Sequence, residues 1–158
     1  MNLLAGTLIF IACTYIGIGI DNFYKTKVKI LGEFIEFIDF TLTEINYLKT
    51  DMLAIIKKYN HTRSTKLSNA LKSLNNPLNA RCENFSISYL TYEDKQQIIS
   101  FIKDIARLDA DGQKVYAEEY KQRVNSYIKY INAEQSVKGK LAKKLAPLLG
   151  LGIMIVII

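Results

Sequence analysis

Both ends of this 158-residue chain lack charged side chains. The first 20 residues contain no Lys, Arg, Asp or Glu, and neither does the segment 145–158. The 21 basic and 15 acidic side chains all lie within residues 21–144. A helix needs about 20 apolar residues to cross the roughly 30 Å hydrocarbon core of a bilayer. The distribution therefore predicts a membrane segment at each end, with one polar domain between them, and argues against an ordinary soluble enzyme.

The N-terminal segment is long enough for a complete helical crossing and reads NLLAGTLIFIACTYIGIGI over residues 2–20. A cleaved signal peptide, the main alternative, carries positive charges before its apolar core. Here the first lysines follow the apolar run, at Lys25, Lys27 and Lys29. We therefore predict a retained transmembrane helix over residues 1–20.

The C-terminal segment is shorter, since 14 uncharged residues at 145–158 would make a helix of about 21 Å. Counted from Leu141, the helix reaches about 27 Å if the side chains of Lys143 and Lys144 extend back to the membrane surface. We predict a C-terminal transmembrane segment over residues 145–158. A buried helix of a soluble core and a segment lying in the membrane surface remain open alternatives.

Lysines cluster beside both apolar segments, on the side of the central region. They are Lys25, Lys27, Lys29, Lys138, Lys140, Lys143 and Lys144. The positive-inside rule then predicts that residues 21–144 form a cytoplasmic domain and that both termini are extracytoplasmic. These seven lysines also explain much of the net charge of +6, so we expect them to face anionic lipid and do not expect nucleic acid as a partner.

The central region has the apolar spacing of long helices. Steps of three and four connect Leu31, Ile35, Ile38, Leu42, Ile45, Leu48, Met52 and Ile55. Similar stripes cover residues 67–74, 98–108 and 116–141, and no useful β-type alternation occurs. The pattern predicts an all-α fold, an antiparallel helical hairpin or small bundle whose first and last helices continue into the membrane segments.

Local signals predict where these helices begin and end. Thr50-Asp51, Ser64 or Thr65, and Thr91 with Asp94 in the following turn suit helix starts. The region 78–90 has the weakest periodicity and is predicted to be a connecting loop, and Asp109–Gly112 a bend. Tyrosines at 116, 120, 127 and 130 form a stripe that is more typical of core packing than of a ligand site.

The chain carries little that could support catalysis. His61 is the single histidine, and no second His or paired Cys stands at metal-ligand spacing. A partial match to a calcium loop at Asp109, Asp111, Gly112 and Glu118 fails because Arg107 occupies the first ligand position. Phosphate-binding glycine loops and nucleophile elbows are absent. We therefore predict a protein that is not an enzyme, with no metal and no cofactor.

Several short motifs resemble the stage III sporulation protein AB family. They are Thr14-Tyr15-Ile16-Gly17, Glu44-Ile45-Asn46-Tyr47 with Thr50-Asp51-Met52, Ile105-Ala106-Arg107-Leu108-Asp109-Ala110-Asp111-Gly112-Gln113, and the terminus from Lys144 to Ile158. Their order and their placement match that family over both ends and most of the helical region, whereas residues 60–90 match poorly. The chain departs from the family pattern at Tyr15 for Trp, Asp51 for Pro and Ala106 for Gly.

The resemblance implies a membrane-anchored helical protein required for endospore formation. It implies a cytoplasmic domain similar to the platform protein of type II secretion and type IV pilus machines, and a location in the mother-cell membrane around the forespore. Expected partners are the other stage III sporulation proteins, including a secretion-type ATPase. The role would be that of a scaffold in a channel complex, and a homo-oligomer is compatible with it.

The positions that match the family motifs predict where such partners would bind. The predicted partner-binding residues are Glu44, Tyr47, Thr50, Asp109 and Gln113. Structural roles are the alternative to partner binding: Thr50 and Asp109 would serve as helix caps, and Tyr47 as a packing residue. The alternative function is a small membrane-anchored adaptor or regulator that binds a cytoplasmic partner through its helices.

Overall fold

The chain is all-α over the residues that the computed structural model describes, which are 2–48, 51–74, 81–82 and 85–157; no strand occurs among them. The elements are α1 (Asn2–Leu48), α2 (Met52–Thr62), α3 (Lys66–Leu71), α4 (Tyr92–Ile105), α5 (Ala110–Glu134), a π-helical segment (Gln135–Gly139) and α6 (Lys140–Ile157). The all-α prediction is confirmed. The helix predicted to continue from the first apolar segment through residues 25–31 does so, as one helix of 47 residues.

These helices form two compact units. The first, which we call the helix pair, consists of residues 2–28 and 129–157, and the second, the helical bundle, consists of residues 29–128. Parts of α1 and α5 belong to each unit.

Side-chain caps start the short helices of the bundle. The expected cap of α2 was Thr50, but the cap is the next residue, Asp51. Its side chain accepts a hydrogen bond from the Leu53 N–H at 3.3 Å. Of the two candidates for α3, Thr65 is the cap and accepts from the Ser68 N–H at 3.1 Å. These caps satisfy backbone donors that a helix start otherwise leaves unpaired.

A reciprocal capping box begins α4, as the sequence predicts. The Thr91 side chain accepts from the Asp94 N–H, and the Asp94 carboxylate accepts from the Thr91 N–H at 2.8 Å. Asp94 is buried, and its other oxygen accepts a hydrogen bond from the Tyr127 hydroxyl at 2.8 Å. The same carboxylate therefore starts α4 and ties it to α5.

Aromatic side chains fill the centre of the bundle. Phe37 meets Tyr59 edge to face at 5.0 Å between ring centroids, and Phe34 meets Phe101 in the same way at 5.5 Å. Tyr120 is buried against Phe101, at 5.1 Å. Such pairs add about 0.5–1.5 kcal/mol each beyond the burial of their area. The apolar stripes of α1, α4 and α5 are therefore core faces of the bundle.

The region predicted as a connecting loop contributes more to the core than its weak periodicity suggests. Residues 85–90 are irregular, yet Phe85, Ile87 and Leu90 are buried in the bundle. Tyr89 has a φ of 75°, a left-handed conformation that interrupts any regular pattern. Residues 75–80 and 83–84 lie outside the described part of the chain.

Candidate membrane anchor and docking surface

The apolar part of α1 is exposed instead of being packed in a core. By length and composition, α1 is the one helix of the described chain that is apolar enough to cross a membrane. Leu8 is 67% exposed and Tyr15 is 74% exposed. The core helix of a soluble protein would bury such side chains, because exposed apolar area costs about 25 cal/mol per Å² in water. The helix is therefore consistent with a membrane anchor.

The two apolar segments of the helix pair pack against each other in antiparallel register. Gly6 faces Met154, Gly17 faces Ala142 and Ala146, and Gly150 faces Phe10 and Cys13. The approach is close: a Cβ added at Gly17 would lie 2.8 Å from the Ala142 carbonyl oxygen, and one at Gly150 would lie 3.1 Å from the Phe10 Cα. Small residues at such crossings allow helices to pack without a water-driven hydrophobic effect, as in lipid.

A polar cluster lies at the end of these apolar segments. Asp21 follows the apolar run directly and is only 3% exposed. Its two carboxylate oxygens are both paired, with Lys25 Nζ at 2.6 Å and Gln135 Nε2 at 2.8 Å. The hydrogen bond from Lys25, and then that from Gln135, hold the pKa of Asp21 below its ordinary value. Asp21 is therefore a buried carboxylate that stays charged.

The π-helical segment stands beside this cluster. It begins at Gln135, whose side chain reaches Asp21, and ends at Gly139, where an added Cβ would lie in van der Waals contact with Asp21. Short π-helical stretches are rare in proteins and occur often at functional sites. The preceding residue, Glu134, is paired with Lys138, and that hydrogen bond lowers the pKa of Glu134 and raises the pKa of Lys138.

The seven predicted interface lysines fall into two groups. Lys25 and Lys138 are paired with carboxylates, and Lys27 is buried, with its charge near Glu134. The others are exposed to solvent, at Lys29, Lys140, Lys143 and Lys144. The sequence did not predict the burial of Lys27, because the spacing of lysines along the chain does not show which of them lies near a carboxylate in the folded protein.

Glu44 is the first of the five predicted partner-binding residues, and it is buried. It is 6% exposed, and its Oε1 accepts a hydrogen bond from Lys58 Nζ at 2.6 Å. Its second oxygen, Oε2, is buried with no hydrogen-bond partner among the described residues. The carboxylate therefore joins α1 to α2, and most of it faces the interior of the bundle.

Tyr47 is the most accessible of the five positions. It lies in the last turn of α1 and is 82% exposed, so it does not pack in the core. Thr50 lies outside the described residues. An aromatic side chain held out from a helix end has a large apolar area available for a partner.

Asp109 lies in the turn between α4 and α5, and Gln113 lies in the first turn of α5. Asp109 Oδ1 accepts a hydrogen bond from the Gly112 N–H at 3.0 Å, in the manner of a helix cap. Gln113 Nε2 donates to the Ile105 carbonyl oxygen at 2.8 Å, at the end of α4. Among the described residues, no hydrogen bond or ion pair connects Asp109 or Gln113 with Glu44 or Tyr47.

Potential metal ligands do not cluster within the described chain. No group of three His, Cys, Asp or Glu side chains there could hold a metal ion. Asp111, Gly112 and Glu118, the partial calcium-loop match, lie within α5, so their backbone is helical instead of forming a loop around a cation.

Sequence reasoning missed the partners of Asp21 and Asp94. Asp21 directly follows an uncharged run of 20 residues, and a carboxylate so close to lipid requires a partner. This position was the available signal that Asp21 is paired. Gln135 carries no comparable signal, since only the antiparallel packing brings it to Asp21.

The described chain is thus an all-α protein with a helical bundle and a long apolar N-terminal helix consistent with a membrane anchor. The profile of the stage III sporulation protein AB family matches residues 2–158, so the chain belongs to this family. Membership implies a role in sporulation and carries no known catalytic activity. No curated protein and no solved structure shows detectable similarity to the chain.

Proposed function

We propose that this protein is a non-enzymatic scaffold in a secretion-like channel complex required for endospore formation. The match to the stage III sporulation protein AB family over nearly the whole chain is the observation that carries the proposal. The exposed apolar side chains of α1 support a membrane-anchored protein.

In this proposal both apolar segments cross the membrane as a hairpin. The close glycine contacts of the helix pair support it, because a segment packed in register against a membrane helix lies at the same depth. By the positive-inside rule, the lysines at 138, 140, 143 and 144, like those at 25–29, favour an orientation with the bundle in the cytoplasm and both termini outside. The membrane would be that of the mother cell around the forespore.

Deletion of the gene tests the biological role. We expect spore development to stop after engulfment and the count of heat-resistant spores to fall by several orders of magnitude. Expression of the full chain in trans should restore the count. A deletion strain with a normal count would contradict the scaffold role and favour the small adaptor or regulator.

The docking surface is proposed to include Tyr47, with a secretion-type ATPase or another stage III protein as partner. Replacement of Tyr47 by Ala should leave the helical content and thermal unfolding of the full chain unchanged, since its side chain is 82% exposed. Recovery of the partner by affinity pull-down should fall at least fivefold.

A matched control comes from Tyr92, another exposed tyrosine of the bundle, at the start of α4. Tyr92→Ala removes the same side chain from a different surface and should leave recovery within twofold of the wild type. Equal recovery with both variants would remove Tyr47 from the docking surface. Charge reversal at Glu44 is a poorer probe, because its burial beside Lys58 couples it to folding.

A further inference from the structure

A cleft of the helix pair combines positive charge with an adjoining apolar surface. Its volume is about 420 Å³, and its lining residues are Asp21, Lys25, Gln135, Lys140, Lys143 and Lys144. We infer that this cleft binds the phosphate of one anionic phospholipid headgroup. The inference rests on the proposed membrane insertion of both apolar segments and goes beyond it by assigning a specific lipid site.

The charges of the cleft are unbalanced in favour of an anion. Its single carboxylate, Asp21, is already occupied by Lys25 and Gln135. Lys140, Lys143 and Lys144 are exposed and form no salt bridge in the described part of the chain, and Lys143 lies close enough to Asp21 to help hold the pKa of that carboxyl below its ordinary value. Three ammonium groups at spacings of three and four residues lie on one side of a helix, where they can converge on one phosphate.

The position of the cleft suits a headgroup. Asp21 follows the first apolar segment directly, and Lys144 precedes the second directly. In a membrane-spanning hairpin both residues would lie at the cytoplasmic surface, where the lipid phosphates are. Basic pockets between membrane helices at this level bind anionic lipids.

An apolar stripe continues from the cleft along α6 and favours a lipid over a free phosphate. Starting from Lys144, steps of four, three and four residues lead to Leu148, Leu151 and Ile155, all of them exposed. Residues at these steps share one helix face. An acyl chain attached to a phosphate in the cleft would lie along this stripe, whereas inorganic phosphate would gain nothing from it.

Lipid titration of the purified full chain tests the inference. We would measure binding of phosphatidylglycerol and of phosphatidylcholine by native mass spectrometry, in the same detergent. The wild type should retain one phosphatidylglycerol at least fivefold more tightly than phosphatidylcholine. The double variant Lys140→Gln with Lys144→Gln should lose this preference.

The matched control removes two positive charges from the same juxtamembrane set but outside the cleft. Lys29→Gln with Lys138→Gln should keep affinity for phosphatidylglycerol within twofold of the wild type. An equal loss in both double variants, or no loss in either, would overturn a specific site. Lys140→Arg with Lys144→Arg should retain binding, which separates loss of charge from a folding defect.

Two further measurements identify the ligand and separate this inference from the proposed function. Displacement of the lipid by inorganic phosphate at comparable concentration would overturn the choice of a lipid. Resistance to alkaline extraction from phosphatidylcholine vesicles tests membrane anchoring alone. A protein that is anchored in those vesicles but shows no preference for phosphatidylglycerol would refute only the lipid site; a protein that is extracted would refute the anchor and the lipid site with it.

Discussion

Individual polar side chains in the bundle are placed where burial changes their chemistry. Tyr120 is buried, and its hydroxyl donates a hydrogen bond to the Gln97 carbonyl oxygen at 2.7 Å. Burial raises the pKa of Tyr120 to about 12, because the phenolate is poorly solvated there. Burial also raises the pKa of Tyr59 and of Tyr116.

These tyrosines predict a loss of stability in alkali. The unfolded chain releases each phenolic proton near pH 10, whereas folded Tyr120 keeps it until about pH 12. Its contribution is therefore fully present below pH 10 and is lost as the pH rises from 10 to 12, by about 1.4 kcal/mol per pH unit. Urea unfolding of the full chain in detergent, followed by circular dichroism between pH 8 and 12, measures this slope.

Tyr120→Phe is the control for the alkaline effect. It cannot ionise at this position, so between pH 10 and 12 the decline in the free energy of unfolding should be less steep than in the wild type by about 1.4 kcal/mol per pH unit. Tyr59 and Tyr116 remain and should preserve part of the slope. An unchanged slope in the variant would contradict the assignment to Tyr120.

Asp109 offers a test that separates helix capping from docking. Asp109→Ala removes the acceptor for the Gly112 N–H and should lower the free energy of unfolding by about 1 kcal/mol. Asp109→Asn keeps an oxygen acceptor and should be nearly as stable as the wild type. Chemical denaturation measures both variants.

Partner pull-down with the same variants reports on the carboxylate charge. If the charge contacts a partner, Asp109→Asn should reduce recovery although the protein remains stable. If Asp109 only caps α5, recovery should be unchanged in this variant. An alanine variant as stable as the wild type would contradict the capping role.

At the scale of helices, glycines decide how the apolar segments meet. Gly17 and Gly150 leave no room for a Cβ without a shift of the neighbouring helix, whereas Gly19 and Gly152 have no neighbouring atoms within 4 Å of an added Cβ. All four lie in similar apolar sequence, so composition alone does not distinguish the contact glycines from the open ones.

Disulfide trapping tests this pairing in the full chain. In a Cys82→Ser background, Gly150→Cys should form a disulfide with native Cys13 on mild oxidation. A Cβ at position 150 would lie 3.0 Å from the Cys13 Cβ, and a shift of about 0.5–1 Å between the helices gives the separation that a disulfide spans. Gly152→Cys should form no disulfide with Cys13. Adding Gly17→Leu to Gly150→Cys should reduce the disulfide yield severalfold, whereas adding Gly19→Leu should leave the yield unchanged. Equal yields at 150 and 152 would contradict the register.

For the whole molecule, the central question is which side of the membrane holds the bundle. In a chain without Cys13 and Cys82, we expect an exposed Ser86→Cys to react with a membrane-impermeant maleimide only after cells are permeabilised. Asn2→Cys should react in intact cells when the chain is expressed in the cell membrane of non-sporulating cells. Labelling of Ser86→Cys in intact cells would reverse the predicted orientation.

Much of the fold was predictable because it depends on local interactions. The apolar steps of three and four in α1 and α4, and the caps at Thr65 and Thr91, act over one or two turns and predict these helices well. The burial of Phe85 and Ile87 in the irregular stretch 85–90 was not predictable. It depends on packing against helices distant in the chain, and the apolar residues of this stretch follow no regular spacing.

The candidate site was less predictable from the chain. Family motifs pointed to Glu44 and Tyr47 alike, but one is buried beside Lys58 and the other projects into solvent. Both lie on the same helix three residues apart, and their different surroundings depend on where α2 packs.

The helical class, the two uncharged ends and the lysines beside them follow from the sequence alone, since these features depend on residue type and spacing along the chain. The pairing of Asp21 with Gln135, 114 positions away, and the shared cleft of Lys140, Lys143 and Lys144 become visible only in the folded chain. Contacts between distant residues require the helices to pack first, and packing depends on side-chain shapes that an apolar period does not specify.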